Sequence, residues 1–221
     1  MLPAHKTPII CYVTDRKSLG EGESGPGVLG RLRAAIAAGV EWVQIREKDL
    51  PGGQLLRLTR EAVVAGGGAR VIVNDRVDVA LAAEASGVHL GRESLGAREV
   101  VSWCRAGNAP GDFLVGVSCH SFEDAREAES ASAAYIFFGP IFDTPSKRGM
   151  GAPQGVARLG EICRAVEIPV LAIGGVREEN AGECVRAGAA GIAAIRMFQD
   201  ARDVAELKDV VYRLGAASAS R

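Results

Sequence analysis

The sequence predicts an α/β protein, a single (β/α)8 barrel of the TIM type, and three observations point to it. Short apolar, β-branched runs recur eight times along the chain. Between them lie segments rich in Ala, Glu, Arg and Leu, with apolar residues at helical spacing. Several of these segments end in glycine, which can stop a helix and turn the chain into the next strand. Strands that alternate with helices form a parallel sheet, and eight such units in 221 residues are typical of a closed barrel.

The predicted strands follow one another at regular intervals, and each is short enough to lie in a barrel wall. They cover residues 8–15, 41–45, 70–75, 87–90, 112–117, 134–139, 168–175 and 191–195. The clearest helical segments are 28–39, 52–66 and 76–87. An open, doubly wound sheet is the alternative, because the sequence does not reveal whether the sheet closes.

The chain shows no internal boundary. No Pro/Ser-rich linker or block of like charges divides it, so we expect one domain over residues 1–221, with a core of about 8–216 and a frayed tail.

Composition excludes several classes of function. The formal net charge is −1 and the isoelectric point is near 6.3, so no long-range basic field attracts nucleic acid. No apolar run approaches the roughly 18 residues that a membrane span needs, so we expect no membrane partner and a cytoplasmic protein. The oligomeric state stays open, with a homo-oligomer as one option.

The five cysteines are odd in number and lack CxxC spacing, which argues against a disulfide framework and a zinc site. We expect buried, reduced thiols. Cys119 is the exception to watch, because it neighbours His120.

Polar residues cluster where the predicted strands end. In a barrel of this type the carboxyl ends of the strands and the loops that follow form the active face, so these residues should converge on one rim. In chain order they are Gln44, Arg46, Lys48, Asn74, Asp75, His89, Ser118, His120, Thr144, Ser146, Lys147, Gly174, Gly175, Ile195 and Arg196.

The stretch VQIREKDL, residues 43–50, reads as strand with polar residues at every second position. Gln44, Arg46 and Lys48 would then share one face, and Glu47 would point with Ile45 to the other. A planar guanidinium and a point charge together suit a highly charged anion such as a diphosphate. The alternative is a surface ladder of ion pairs.

A second anion site is predicted above strands seven and eight. Gly174 and Gly175 end strand seven before a helix, while Ile195 and Arg196 end strand eight before another. Backbone N–H groups exposed by glycine and by helix N-termini can cradle a phosphate, and barrels frequently place one at this position. A simple tight turn is the alternative.

Acids and histidines complete the set of candidate site residues. Asp75 stands at a strand end, which makes it the best candidate to hold Mg²⁺ through oxygen ligands, and Glu93 lies near enough to supplement it. Asp75 could instead cap the helix that follows. His89 and His120 could transfer protons at neutral pH or serve as hydrogen-bonded structural residues.

Several ordered motifs carry a family resemblance: YVTDR, VQIREKDL, VIVNDRVDVALAAEASGVHLG, VGVSCHS, GPIFDTPSK and VLAIGGVREENAGECVRAGAAGIAAI. From about Tyr12 to Phe198 the sequence resembles the thiamine phosphate synthase and thiazole tautomerase superfamily. The synthase branch joins an aminopyrimidine methyl diphosphate to a thiazole phosphate, giving thiamine phosphate and pyrophosphate.

The resemblance implies a role for each matched position. The pyrimidine diphosphate would be bound by Gln44, Arg46, Lys48 and Asn74, the Mg²⁺ by Asp75, and the pyrimidine ring by Ser118. The thiazole phosphate would be held by Thr144, Ser146 and backbone from Gly175, Ile195 and Arg196, while Lys147 would contact the pyrophosphate. A pyrimidine cation must be kept from water, and the glycine-containing segment 143–155 is the candidate lid.

Three departures from the synthase pattern keep other functions open. Ser94 replaces an acid that would be a second Mg²⁺ ligand, Arg92 replaces a glutamine, and Arg196 replaces a small serine beside the thiazole phosphate. The segment KRGMG also leans towards the tautomerase branch, which moves a proton on thiazole carboxylate phosphate with an acid/base such as His120. A non-catalytic phosphate-ligand sensor is the remaining alternative.

Overall fold

The chain forms a closed barrel of eight parallel strands in a computed structural model that describes residues 8–19, 27–144, 152–201 and 203–216. The strands follow one another round the barrel in sequence order, and the last pairs with the first through Ile10 and Ile192. This pairing confirms the predicted closed barrel, because an open doubly wound sheet would leave both edges unpaired. The strands are β1 (Ile9–Val13), β2 (Trp42–Ile45), β3 (Arg70–Asn74), β4 (Gly87–Leu90), β5 (Leu114–Cys119), β6 (Tyr135–Phe138), β7 (Val170–Ile173) and β8 (Gly191–Ala194).

The described helices surround the barrel, and one of them begins with a capping box. The Ser121 hydroxyl accepts a hydrogen bond from the Asp124 backbone at 3.0 Å, and the Asp124 carboxylate accepts one from the Ser121 N–H. The helices are α1 (Gly27–Ala37), α2 (Gly52–Gly66), α3 (Val77–Ala82), α4 (Ala97–Trp103), α5 (Phe122–Ser130), α6 (Gly155–Ala165), α7 (Glu178–Arg186), α8 (Arg196–Gln199) and α9 (Val204–Ala216). Within the described residues, none of them combines the length and the apolar character that spanning a membrane requires.

Strand residues alternate between two cores. The outward-facing ones pack against the helices, and the inward-facing ones fill the barrel itself. The interior cluster consists of Ile9, Cys11, Val13, Trp42, Ile72, Leu114, Tyr135, Phe137, Leu171 and Ala193. The barrel is therefore a packed core that leaves only its ends for a site.

The cysteines are free thiols, as predicted, and most of them are buried. All five are free thiols, and four are buried while Cys163 is partly exposed. Burial raises the pKa of the Cys119 thiol to about 12, with the nearby carboxylates of Asp124 and Glu127 acting in the same direction. Cys119 therefore carries no reactive thiolate at neutral pH.

The interior depends on one glycine on β5. A Cβ atom at Gly116 would lie 2.1 Å from Cζ of the Tyr135 ring, so only glycine leaves room for this ring inside the barrel. The ring is wholly buried and meets Trp42 edge-on at 5.0 Å between ring centroids.

We predict that Gly116→Ala destabilises the fold by about 1–3 kcal/mol, because it overpacks the interior and displaces the Tyr135 ring. Gly53→Ala is the matched control: Gly53 lies in α2 with open space around its Cα, so the same change should be neutral or stabilise by up to about 1 kcal/mol. Urea unfolding of the three proteins measures both effects. Equal midpoints for the parent and Gly116→Ala would contradict the close approach.

Candidate active site

Four inward-facing polar side chains form a layer at the carboxyl end of the barrel. They come from four consecutive strands, β2 to β5: Gln44, Asn74, His89 and Ser118. Gln44 Nε2 donates to Asn74 Oδ1 at 3.1 Å, and His89 Nε2 lies 2.9 Å from Ser118 Oγ. The structure thus brings together all four residues as two adjacent hydrogen-bonded pairs, which we call the polar layer.

Arg46 and Lys48 follow the strand and do not belong to it. The predicted strand 41–45 ends at the right residue, because β2 ends at Ile45, but the strand interpretation of residues 43–50 is wrong beyond that point. The Arg46 N–H donates to Thr14 Oγ1 at 3.0 Å, and the Leu50 N–H closes a turn onto the Glu47 carbonyl. Lys48 is exposed within that turn.

The position of the Arg46 charge can be inferred from its effect on a neighbour. The pKa of His89 is lowered to about 3, first by burial and then by the positive charge of Arg46. His89 is buried in the barrel interior, so the Arg46 guanidinium lies close enough for its charge to act on this imidazole. Arg46 therefore brings positive charge to the mouth of the barrel, next to the polar layer.

Glu47 anchors the segment that carries these two cations. It is only 3% exposed, and both its carboxylate oxygens accept from the Arg16 N–H at 3.1 Å. The Arg16 guanidinium also pairs with Asp49, whose pKa it holds far below the usual range, and Lys17 adds a second contact to Asp49. The loops after β1 and β2 are tied together by these contacts. The sequence predicts that Glu47 points away from Arg46 and Lys48, and its contact with Arg16 is consistent with that orientation.

The two glycines after β7 adopt conformations that favour glycine, with φ of +90° at Gly174 and +67° at Gly175. A Cβ atom at Gly174 would lie 2.6 Å from Pro140 Cα, and one at Gly175 would lie 2.5 Å from the Asp143 carbonyl oxygen. The loop after β7 therefore packs directly on the loop after β6. Neither glycine N–H donates a hydrogen bond to another residue in the described part of the chain.

Of the two helices near this loop, α8 suits an anion better than α7. The first turn of α7 carries Glu178 and Glu179, and Asn180 already accepts from the Arg177 N–H at 2.8 Å. Ile195 precedes α8 and Arg196 is its first residue, exposed and cationic. Arg177 precedes α7, but the two acids of that first turn oppose its charge, whereas α8 begins with a cation and has no acid in its first turn.

His120 is held by its backbone and its ring. Its Nδ1 is hydrogen-bonded to the Gly139 carbonyl, which can only accept, so Nδ1 carries the hydrogen and Nε2 is left as an acceptor. Its carbonyl accepts from Gln154 Nε2 at 2.8 Å. In the loop after β6 the structure describes residues up to Thr144 and again from 152, so the predicted contributions of Ser146 and Lys147 lie outside the described residues, as does most of the candidate lid.

Asp75 and Glu93, the predicted metal ligands, are both exposed. Asp75 has φ of +67°, an uncommon conformation for a residue other than glycine, and its N–H continues the sheet by donating to the His89 carbonyl at 2.8 Å. Its alternative role as a helix cap is not seen, since Arg76 occupies the cap position of α3 and no side chain caps there.

The donor set fits a Mg²⁺ site that substrate completes. In the part of the chain that the structure describes, no three His, Cys, Asp or Glu residues are grouped to hold a metal. Mg²⁺ in nucleotide and phosphate enzymes is commonly bound by one or two carboxylates, water and the phosphates themselves. Ser94 adds no charge, and its hydroxyl accepts from the Gly91 N–H at 2.8 Å within the turn after β4.

A model of the family described as thiamine monophosphate synthase matches residues 10–198. The chain belongs to the thiamine monophosphate synthase family. The match spans all eight strands and most of the helical ring, and it confirms the superfamily to which the sequence motifs pointed.

Relatives of this family are similar over most of their length. The thiamine-phosphate synthase of Roseiflexus castenholzii is 40% identical over 205 residues, covering 88% of this chain and 82% of that protein. The thiamine-phosphate synthase of Moorella thermoacetica is 39% identical over 208 residues, covering 91% and 95%. The solved structure of thiamine phosphate pyrophosphorylase from Pyrococcus furiosus superposes with a TM-score of 0.82 at 29% identity, covering 94% of this chain and 96% of that one.

Two residues of this family member join the site although the sequence did not single them out. Thr14 is fully buried and receives the Arg46 N–H, and Tyr135 places its hydroxyl 3.1 Å from His89 Nδ1. The period-2 alternation of β6 would have placed Tyr135 inside the barrel. No local signal marks Thr14, whose partner lies 32 residues away.

His89 acts as a neutral hydrogen-bonding residue at the floor of the site. Both ring nitrogens have partners, and its low pKa excludes the imidazolium form near neutral pH. Of the two roles predicted for it, the geometry favours the structural one. His89 could reach a ligand only through Ser118, to which its Nε2 is bonded.

We predict that burial of neutral His89 makes the fold sensitive to acid. The folded pKa of about 3 lies below the ordinary value of 6.5, so stability is complete above pH 6.5 and is lost as the pH falls towards 3. Between about pH 7 and about pH 5, the parent should lose about 2 kcal/mol more unfolding free energy than His89→Gln. Urea unfolding of both proteins at the two pH values measures this difference, and parallel losses would contradict it.

Proposed function

We propose that this chain is a thiamine-phosphate synthase, which joins 4-amino-2-methyl-5-(diphosphooxymethyl)pyrimidine to a thiazole phosphate and releases pyrophosphate. The observation that carries the proposal is the polar layer at the carboxyl end of a barrel of this family, with Arg46 and Lys48 in the loop that directly follows β2. A planar ring could lie against the polar layer with its diphosphate towards Arg46 and Lys48. The relatives named above support the same activity, which is that of a transferase.

The cations act on the leaving group. As the C–O bond to diphosphate breaks, negative charge builds on the departing oxygens, and preplaced donors stabilise that charge more in the transition state than in the substrate. Arg46 is preplaced because its backbone is fixed to Thr14 and because the adjacent Glu47 is anchored to Arg16. Little reorganisation is then needed when the charge develops.

Asp75, with Glu93, would hold Mg²⁺ against the diphosphate, where the ion neutralises charge on the leaving group. The positive φ of Asp75 supports this role, since such backbone strain clusters at functional sites. Ser94 leaves this site with fewer charges than the synthase pattern has.

The thiazole phosphate would bind on the other side of the mouth. The N–H groups of Gly174, Gly175, Ile195 and Arg196 supply donors, and the Arg196 side chain supplies charge. From the sequence, Thr144, Ser146 and Lys147 are proposed to complete this side and to contact the pyrophosphate. Small-molecule substrates are thus the proposed partners, while the cytoplasmic location and a homo-oligomeric state stay predictions.

A thiazole tautomerase is the second candidate, and one observation favours it. Because His120 Nδ1 is committed to the Gly139 carbonyl, its Nε2 lone pair is available to accept a proton from a ligand. The tautomerase needs no diphosphate site, however, and would leave Arg46 and Lys48 without a role.

We predict that the purified protein releases pyrophosphate when both thiamine precursors and Mg²⁺ are present, and that chelation of Mg²⁺ greatly slows this release. The assay couples pyrophosphate to a colour reaction and follows thiamine phosphate in parallel. Isomerisation of thiazole carboxylate phosphate without pyrophosphate release would assign the tautomerase. Binding of either phosphate ligand without any turnover would indicate the sensor.

We further predict that Lys48→Ala lowers kcat by about tenfold or more while thiazole phosphate binding stays nearly unchanged, because its charge is needed as diphosphate departs. Lys208→Ala on α9 is the matched control, since Lys208 is exposed on a helix far along the chain from the rim loops. Steady-state kinetics and thiazole phosphate titration separate the two effects. Unchanged turnover in Lys48→Ala would remove Lys48 from the site.

A further inference from the structure

Three hydrogen-bonded side chains lead from the barrel interior to the mouth, and the innermost of them, Tyr135, has no role in the proposed function. Tyr135 Oη lies 3.1 Å from His89 Nδ1, and His89 Nε2 lies 2.9 Å from Ser118 Oγ. Tyr135 and His89 are buried, while Ser118 is half-buried near the end of β5. Ser118 is therefore the one of these three side chains that a ligand in the mouth can contact.

The hydrogen bonds that link Tyr135, His89 and Ser118 can run in two directions. A neutral imidazole has one N–H donor and one acceptor nitrogen. If Nδ1 accepts from Tyr135, then Nε2–H donates to Ser118 Oγ, and the serine hydrogen is free to point outward. If Nδ1–H donates to Tyr135 instead, the serine hydrogen is used by Nε2, and the tyrosine hydrogen needs another acceptor.

The second direction leaves a buried donor unsatisfied. Among the described residues, the Tyr135 hydroxyl has no hydrogen-bond partner other than His89. Burial holds the pKa of this phenol well above its usual value, so the hydroxyl keeps its hydrogen. A buried O–H without an acceptor costs about 1–3 kcal/mol, which favours the first direction.

Packing holds the imidazole in the orientation that these hydrogen bonds need. The His89 ring lies 4.2 Å from the Phe137 ring between centroids, at 33° between planes, and 5.5 Å from the Tyr135 ring. These contacts oppose a rotation of the imidazole that would exchange its two nitrogens.

We propose that Tyr135 is a positioning residue that fixes His89 as its Nε2–H tautomer and so makes the Ser118 hydroxyl a hydrogen-bond donor towards the ligand. The serine hydrogen then needs an acceptor, which a ligand in the mouth can supply. In an aminopyrimidine the ring nitrogens are acceptors, whereas the exocyclic amino group is a donor and cannot receive this hydrogen. This inference rests on the proposed function for the identity of the ligand, whereas the tautomer itself can be tested without any ligand.

The tautomer is measured directly by nitrogen NMR of the unliganded protein labelled at histidine. The chain has three histidines, and the signals missing from His89→Gln identify those of His89. We expect Nε2 to carry the hydrogen in the parent protein. In Tyr135→Phe we expect the Nδ1–H form to appear as well, since neither tautomer then has a partner at Nδ1. An Nδ1–H tautomer in the parent overturns the proposal.

Kinetics test the consequence for the ligand. Tyr135→Phe keeps the aromatic ring and removes the hydroxyl, so we expect KM for the pyrimidine diphosphate to rise about tenfold while KM for thiazole phosphate changes less than about twofold. Tyr212→Phe is the matched control, because the Tyr212 side chain on α9 is 77% exposed. Unchanged KM for the pyrimidine, or equal rises for both substrates, overturns the positioning role.

The two experiments also distinguish this inference from the proposed function. If the parent protein releases no pyrophosphate, the proposed function fails, and the NMR measurement still decides the tautomer. If the parent turns over normally and Tyr135→Phe behaves like Tyr212→Phe, the inference alone fails.

Discussion

Closure of the sheet, through the pairing of β8 with β1, is the constraint on which the site depends. A closed barrel divides every strand into residues that point inward and residues that point outward, with no edge at which the pattern can slip. Gln44, Asn74, His89 and Ser118 then meet because each occupies an inward position at the same end of its strand. Local propensity does not place them together, since they lie on four different strands.

The barrel interior supports the polar layer from below, where a large side chain packs against a residue without one. Gly116 leaves the space that the Tyr135 ring fills, and the ring delivers its hydroxyl to His89. The polar layer therefore stands on an aromatic core with a defined shape. Such support matters because a hydrogen-bond donor misplaced by a fraction of an ångström stabilises a transition state poorly.

The mouth divides into two charged regions with different supports. Arg46 and Lys48 project from a loop that is anchored through Glu47 to Arg16, a contact between segments 31 residues apart. The glycine loop after β7 is shaped by its packing on the loop after β6, where the close approach excludes any side chain at Gly174 or Gly175. Substrates with a diphosphate and a phosphate would find donors of different kinds on these two sides.

The amino-acid sequence alone determined the eight strands, the closed barrel as the favoured fold, and the polar residues at the carboxyl ends of the strands. These properties follow from hydrophobic periodicity and turn residues, which act over a few positions. The tertiary structure decided what depends on distant partners. It placed Arg46 and Lys48 in a loop, with the Arg46 N–H bonded to Thr14, where the alternation of polar residues had suggested a continued strand. It also made His89 a neutral link to Tyr135, because burial disfavours its charge. Hydrogen bonding across strands and desolvation depend on which side chains meet in space, and local sequence patterns carry no record of that.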